Sequence, residues 1–222
     1  MKISIVIPVL NDADRLGVLL DALEGGREVV VADGGSRDDP AARAAGRARM
    51  VTSAPGRARQ MNAGAAACGG DVLLFLHSDT RLPPGAFERI GEAMRDPGVA
   101  GGGFRHRFDG GGLFGRFISL SANARARGWG LFFGDQAIFV RREAFERLGG
   151  YGDLPLFEDW DLCRRMRRQG RMAFIPEPVT TSARRIEVWG KWRCFCVWWG
   201  LGILYALGVP ADSLARHYAD VR

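Results

Sequence analysis

The chain has 222 residues, is 47% apolar and carries a formal net charge of +6. That length and apolar share suit one large α/β domain and exclude extensive disorder. Nearly all the cations are Arg, with Lys only at positions 2 and 191, and acidic residues are interspersed throughout. The charge alone therefore gives no case for a nucleic-acid partner, and no helix-turn-helix or aromatic RNA platform adds one. Cys68, Cys163, Cys194 and Cys196 have neither zinc-ligand spacing nor the density of a disulfide scaffold. A reduced, cytoplasmic chain is expected, and the N-terminus enters a strand without a secretion leader.

In chain order, Ile3-Ser4-Ile5-Val6-Ile7 predicts a buried first strand ended by Pro8. Residues 8–12 read as a loop, and Arg15 to Leu23 as an amphipathic helix stopped by Gly25-Gly26. Glu28 to Ala32 predicts strand two, and Asp33-Gly34-Gly35-Ser36 a tight turn. Ala41 to Ala48 is helix-prone, residues 50–52 form a short third strand, and Gly56 to Ala67 is a loop running into an Ala-rich helix. The apolar run Val72 to Leu76 predicts a strand buried on both faces, as in a parallel sheet. Its carboxyl end delivers His77, Ser78 and Asp79 to the edge where open α/β sheets bind ligands. This alternation, with Pro83-Pro84 opening another helix, predicts a doubly wound parallel sheet to about residue 95.

Beyond Pro97 the pattern changes. Glycines at 101–103 and 110–112 bracket Phe104 to Phe108, which suits an antiparallel strand between flexible turns. Helices are predicted over 113–127, 142–148 and 158–168, and strands over 137–140 and 172–175. One domain of residues 1–190 is expected, followed by a hydrophobic or amphipathic tail over 191–222. The Trp-rich stretch 194–209 is shorter than the ~20 residues of a spanning helix. It suits a helix packed on the domain, a dimer contact, or peripheral contact with the inner face of the membrane.

Two nucleotide chemistries drop out at the first strand. A dinucleotide site needs glycines there, but the chain has Pro8-Val9-Leu10-Asn11, and it holds no P-loop string. Asp33 ends strand two, where a carboxylate can accept hydrogen bonds from a base or ribose, although Asp before Gly-Gly is also a stock turn residue. Asn11 stands where it can shape a nucleoside pocket or cap the next helix. Arg57 and Arg59 precede the Ala-rich helix, and a guanidinium forks well onto phosphate oxygens. Glu158-Asp159 pairs two carboxylates at a helix start.

With Ile5-Val6-Ile7-Pro8-Val9-Leu10-Asn11 followed by Val29-Val30-Val31-Ala32-Asp33-Gly34-Gly35-Ser36, the chain resembles the family 2 glycosyltransferases of the GT-A fold. The resemblance continues through Gly56 to Gly64, the strand ending at Asp79, and Phe157-Glu158-Asp159-Trp160-Asp161-Leu162, in the family's order over residues 3 to 185. Gly134-Asp135-Gln136 and Arg184-Arg185 look like a small stand-alone bacterial subgroup. The resemblance implies a Rossmann-like, mostly parallel sheet with a small antiparallel acceptor-side part. It also implies transfer of a sugar from a nucleotide donor, usually UDP-linked, to a hydroxyl acceptor with inversion.

By the same resemblance Pro8, Asn11, Asp33 and Ser78, with Arg57 or Arg59, take the nucleotide. Asp79 holds a divalent cation, Mn²⁺ or Mg²⁺, and Asp159 is the base. His77 departs from the family's Asp-x-Asp; imidazole tolerates Mn²⁺ better than Mg²⁺, or donates to ribose or phosphate instead. Asp135, Gln136 and Glu158 are expected near the acceptor, and Arg184 and Arg185 on a mobile stretch that folds over the diphosphate. A non-catalytic nucleotide-sugar-binding or membrane-peripheral scaffold is the alternative, with His77 as its best support.

Overall fold

The computed structural model describes residues 1–23 and 26–218. Among them, eight strands make one sheet: β1 (Ile3–Val9), β2 (Glu28–Asp33), β3 (Arg49–Thr52), β4 (Val72–Phe75), β5 (Thr80–Arg81), β6 (Val99–Asp109), β7 (Phe139–Arg141) and β8 (Arg171–Ser182). The order is β3-β2-β1-β4-β7-β6-β8-β5. β1 pairs in parallel with β2 and β4, and β2 with β3. Alternate residues serve opposite layers, as the pleat requires. Ile5, Ile7 and Leu74 meet one core, and Val6, Leu73 and Phe75 the other. The first core is covered by α1 (Ala13–Ala22), α2 (Pro40–Ala44) and, further along the chain, α4 (Ala86–Met94). The second is covered by α3 (Arg57–Ala67) and later helices. Helix α3 lies directly on β1 because residue 64 is Gly; a Cβ there would stand 2.4 Å from Val6 Cγ1.

Several boundaries differ from the sequence expectation for physical reasons. Pro8 does not end β1 but stays in the ladder opposite Ala32, since its fixed φ is compatible with an extended chain. Gly26, at φ 83, follows α1, whereas Gly25 of the expected stop lies outside the described residues. The glycines at 101–103 are not turns but part of β6, packed where side chains have no room. A Cβ at Gly102 would stand 2.1 Å from Ala173 O. β6 runs antiparallel to β7, as expected of this region, but parallel to β8 on its other side. β8 extends through Pro176 and Pro178 to Ser182. A register shift, from Phe104 opposite Ile175 to Arg105 opposite Pro178, absorbs the prolines that cannot donate to a ladder.

The remaining helices are α5 (Gly112–Trp129), α6 (Arg142–Arg147), α7 (Glu158–Met166), α8 (Arg184–Trp189), α9 (Lys191–Ala206) and α10 (Ala211–Ala215). A 3₁₀ turn, Gly134–Gln136, precedes β7. Helix α9 packs on the domain through Leu201 against Leu156 and Phe157, with the Phe157 and Tyr205 rings stacked at 4.6 Å. No helix of the described residues is long and apolar enough to cross a membrane. The last four residues of the expected tail, 219–222, lie outside those described.

Candidate active site

The carboxyl ends of β1, β2 and β4 meet in one row. Asp33 stands opposite Val9, and its Oδ1 accepts from Ser36 N (3.0 Å) and Ser36 Oγ (2.6 Å), which fixes the turn after β2. Asn11 is left-handed at φ 53, a conformation Asn tolerates. Its N–H donates to Ser36 Oγ (2.9 Å) and its Oδ1 accepts from Arg37 N (2.9 Å). Asn11 thus joins the β1 loop to the β2 loop and does not cap α1; the residue at that cap is Asp12. Behind the row, buried Gln60 donates to Val9 O and Ala32 O (2.5 and 2.9 Å) and clamps two strand ends together. Sequence reasoning missed Gln60, because its role depends on where α3 lands.

After β4 the chain turns through His77, Ser78 and Asp79. Ser78 Oγ donates to the Asp12 carboxylate. Asp79 O accepts from Ser182 N (3.3 Å), so the end of β8 is tied to this turn. The His77 ring lies against Gly134, where a Cβ would stand 2.4 Å from both Cε1 and Nε2. Burial, and then the Arg57 guanidinium, hold the imidazole below its ordinary pKa, against the opposing pull of Asp79, Asp135 and Asp159. It is therefore neutral at neutral pH.

Helix α7 opens with the two paired carboxylates. Glu158, 1% exposed, is gripped by Arg57, with Nε 2.8 Å from Oε1 and a second bond of 3.3 Å to Oε2. Asp159, 7% exposed, accepts from Gly134 N (2.8 Å) and Trp160 N (2.7 Å). Burial, with the neighbouring Glu158 second, pushes its pKa from 3.8 up to about 6, against Arg57 and the two N–H donors. A carboxylate poised there can take a proton near neutral pH.

The 3₁₀ turn separates two expected neighbours. Gln136 is fully enclosed: Nε2 donates to Phe104 O (3.1 Å), while Oε1 accepts from Phe133 N (3.2 Å) and Arg125 (3.3 Å). It latches the loop from behind and is not presented to an acceptor, because its amide is spent on the chain. Asp135 is half-buried. Its Oδ2 lies 3.5 Å from His106 Nε2, its backbone O accepts from Thr181 Oγ1 (3.1 Å), and its Oδ1 has no hydrogen-bond partner. Buried His106 meets Ser119 Oγ at 3.1 Å through Nδ1. Its only sequence signal was an inward position on a strand.

The arginines divide. Arg57 belongs to the buried carboxylates, whereas exposed Arg59 pairs with Asp153 (2.8 Å) away from them. Arg184 and Arg185, expected on a mobile stretch, form the first residues of α8. Arg185 lies over Trp189 and Tyr218 at 5.4 and 4.9 Å and donates to Tyr218 OH. The structure thus brings His77, Arg57, Asp135, Glu158 and Asp159 together beside Asp79, and leaves Arg59 apart. Among the described residues no three His, Cys, Asp or Glu side chains converge as a ready metal site.

Residues 4–149 match the family model for glycosyl transferase family 2; Asp159 lies beyond the matched span. No curated protein matches the chain in sequence. Among solved structures, glucosyl-3-phosphoglycerate synthase from Mycobacterium tuberculosis, in complex with Mn²⁺, UDP-glucose and phosphoglyceric acid, is similar at 21% identity and a TM-score of 0.65. The match covers 94% of this chain and 80% of that one. A mycobacterial protein is similar at 23% identity and a TM-score of 0.58, over 82% of this chain and 65% of its own. S. aureus TarS 1-349, in complex with UDP-GlcNAc, is similar at 15% identity and a TM-score of 0.59, over 83% and 59%. The chain thus spans less than two thirds of the length of the last two. At these identities the likeness shows a shared GT-A fold.

Proposed function

We propose that this chain, which belongs to glycosyl transferase family 2, transfers a sugar from a UDP-linked donor to a hydroxyl acceptor by a single displacement with inversion at C1. The observation that carries the reading is Asp159, a buried carboxylate held by two backbone N–H groups with a pKa of about 6. Such a group takes the proton of the acceptor hydroxyl as its oxygen attacks C1. Burial and then Glu158 raise that pKa, Arg57 lowers it, and Gly134 fixes the direction of the carboxylate. The proton comes to rest on Asp159, the new bond forms at C1, and the bond from C1 to the diphosphate oxygen breaks.

The nucleoside lies along the row formed by Pro8, Asn11, Asp33 and Ser78, where Ser36 holds Asp33 within its own turn and the same turn braces Asn11. Asp135, whose side chain is partly exposed while its enclosed Oδ1 lacks a partner, is suited to turn toward a sugar or acceptor hydroxyl. Arg184, at the start of α8 next to the Asp79 turn, is the better placed of its pair to approach the diphosphate, because Arg185 is stacked on rings. A divalent cation fits Asp79 and the neutral imidazole of His77 only in company with donor phosphate oxygens, as expected for Mn²⁺ or Mg²⁺ held by few protein ligands. When bound, it offsets charge on the departing diphosphate. The Mn²⁺ and UDP-glucose bound by the mycobacterial synthase support this choice.

A second reading, a nucleotide-sugar binder without catalysis, is favoured by one observation: His77 stands where the family carries an Asp. Release of UDP from UDP-glucose and UDP-GlcNAc with Mn²⁺ separates the two readings. Turnover by the wild type, and binding without turnover by Asp159→Asn, is the expected result. UDP binding with equal, background turnover in both proteins would establish the second reading.

A further inference from the structure

We infer that the joined outer faces of α5 and α9 form a docking surface for an anionic lipid bilayer. On α5, Leu113 and Leu120 are 81% and 66% exposed, with Phe117 exposed between them. Their spacing of four and three places them on one stripe. On α9, Trp192 and Ile203 are 83% and 55% exposed, and Trp199 lies between them at helical spacing. The two stripes are continuous: the Phe117 ring stacks on Trp199 at 6.4 Å, and Trp199 on Phe195 at 5.8 Å. The opposite sides of the same helices are already spent on the fold, through Ile118 and Ala122 of α5 and Cys194 and Leu201 of α9. What remains outside is a contiguous apolar face of a kind that soluble surfaces rarely leave uncovered.

Charge identifies the occupant. Neither α5 nor α9 contains an Asp or Glu, while Arg116 and Arg127 fall on the α5 stripe and Lys191 and Arg193 flank Trp192. The groove between the two helix starts, lined by Gly111, Gly112, Ile186, Glu187, Lys191 and Trp192, adds a single carboxylate. Exposed aromatics bordered by cations match the interfacial zone of a membrane whose headgroups are anionic. A second copy of the chain is less suitable, since a two-fold contact would press this cationic face against itself. At 16 residues α9 is about 24 Å long, short of the ~30 Å hydrocarbon core, so it lies flat and does not span.

Vesicle flotation with the full chain tests this. The wild type should float with phosphatidylcholine vesicles containing phosphatidylglycerol at low salt and stay behind with pure phosphatidylcholine. High salt should release it. Arg116→Gln/Lys191→Gln should weaken partitioning about fivefold per charge removed, and Leu120→Ala/Trp192→Ala by about tenfold. These side chains are exposed, so unchanged thermal midpoints should show that both variants remain folded. Failure of the wild type to float with either vesicle, or equal flotation of all three proteins, would overturn the inference. So would a wild-type dimer that Leu120→Ala/Trp192→Ala turns into a monomer in sedimentation, the result a second copy would give.

Discussion

The two sides of the sheet treat their carboxylates in opposite ways. On the parallel side, Asp33 and Asp79 stand half-buried at strand ends, bonded to their own turns and within reach of solvent. On the other side, Glu158 and Asp159 are sunk at the start of α7, where burial and mutual repulsion raise the pKa of Asp159 to about 6. A carboxylate near water is suited to holding hydroxyls or a cation; one forced to ionise in a poor environment is suited to exchanging a proton. On the proposed reading, binding and proton transfer fall to different halves of one fold.

Removing the charge at Asp159 should break that division most severely. Asp159→Asn keeps the shape and loses the proposed proton acceptor, so transfer should fall by about 10²–10⁴-fold while UDP affinity persists. Stability should move the other way. A folded pKa raised from 3.8 to about 6 means the carboxyl's contribution is full below 3.8 and lost as pH rises through about 6. At neutral pH the ionised group therefore costs about 3 kcal/mol, and Asp159→Asn should melt higher than wild type there but not in acid. Equal activity of the two proteins, or equal melting at neutral pH, would count against the assignment.

Arg57 links the two halves, and its removal should come next in size. Arg57→Gln leaves Glu158 buried without its cation, which should cost about 3–5 kcal/mol in urea unfolding. Because Arg57 also lowers the pKa of Asp159, the acid limb of the rate profile should move to higher pH in whatever protein remains folded. An unmoved limb would mean that Asp159 is not the titrating base. Gly134→Ala should have a smaller effect. The added Cβ would strike His77, so the loop must shift, at about 1–3 kcal/mol, and carry the N–H that holds Asp159 with it. The expected readout is a lower kcat with little change in UDP affinity.

The parallel half was legible because its signals are local. Each strand is an apolar run, each turn carries Asp, Asn or Gly, and each site residue sits within a few positions of a strand end. The motifs of the resemblance lie mainly there, and the family match covers 4–149. The other half depends on pairings that no short window contains. The two-residue slip between β6 and β8 carries the prolines that hid the length of β8. Gln136, read as an acceptor contact, is a latch because Phe104 and Arg125 arrive from 32 and 11 positions away. His106 meets Asp135 only because β6 passes beside the 3₁₀ turn. Polar residues in such places look alike in sequence, whether they will face a ligand or be consumed by the chain.

Arg57 and Arg59 give the smallest test of the same contrast. Two residues apart at the start of α3, they point to different sides of the helix, as a 100° step per residue requires. One reaches a buried Glu158 and the other an exposed Asp153. An ion pair in water loses most of its strength to solvent and to the freedom of its long side chains. Arg59→Ala should therefore leave the thermal midpoint, the acid limb and UDP affinity where they are. A loss of UDP affinity in Arg59→Ala, measured by calorimetry, would show that this guanidinium leaves Asp153 to hold phosphate, and would place the phosphate contact on the parallel side of the sheet.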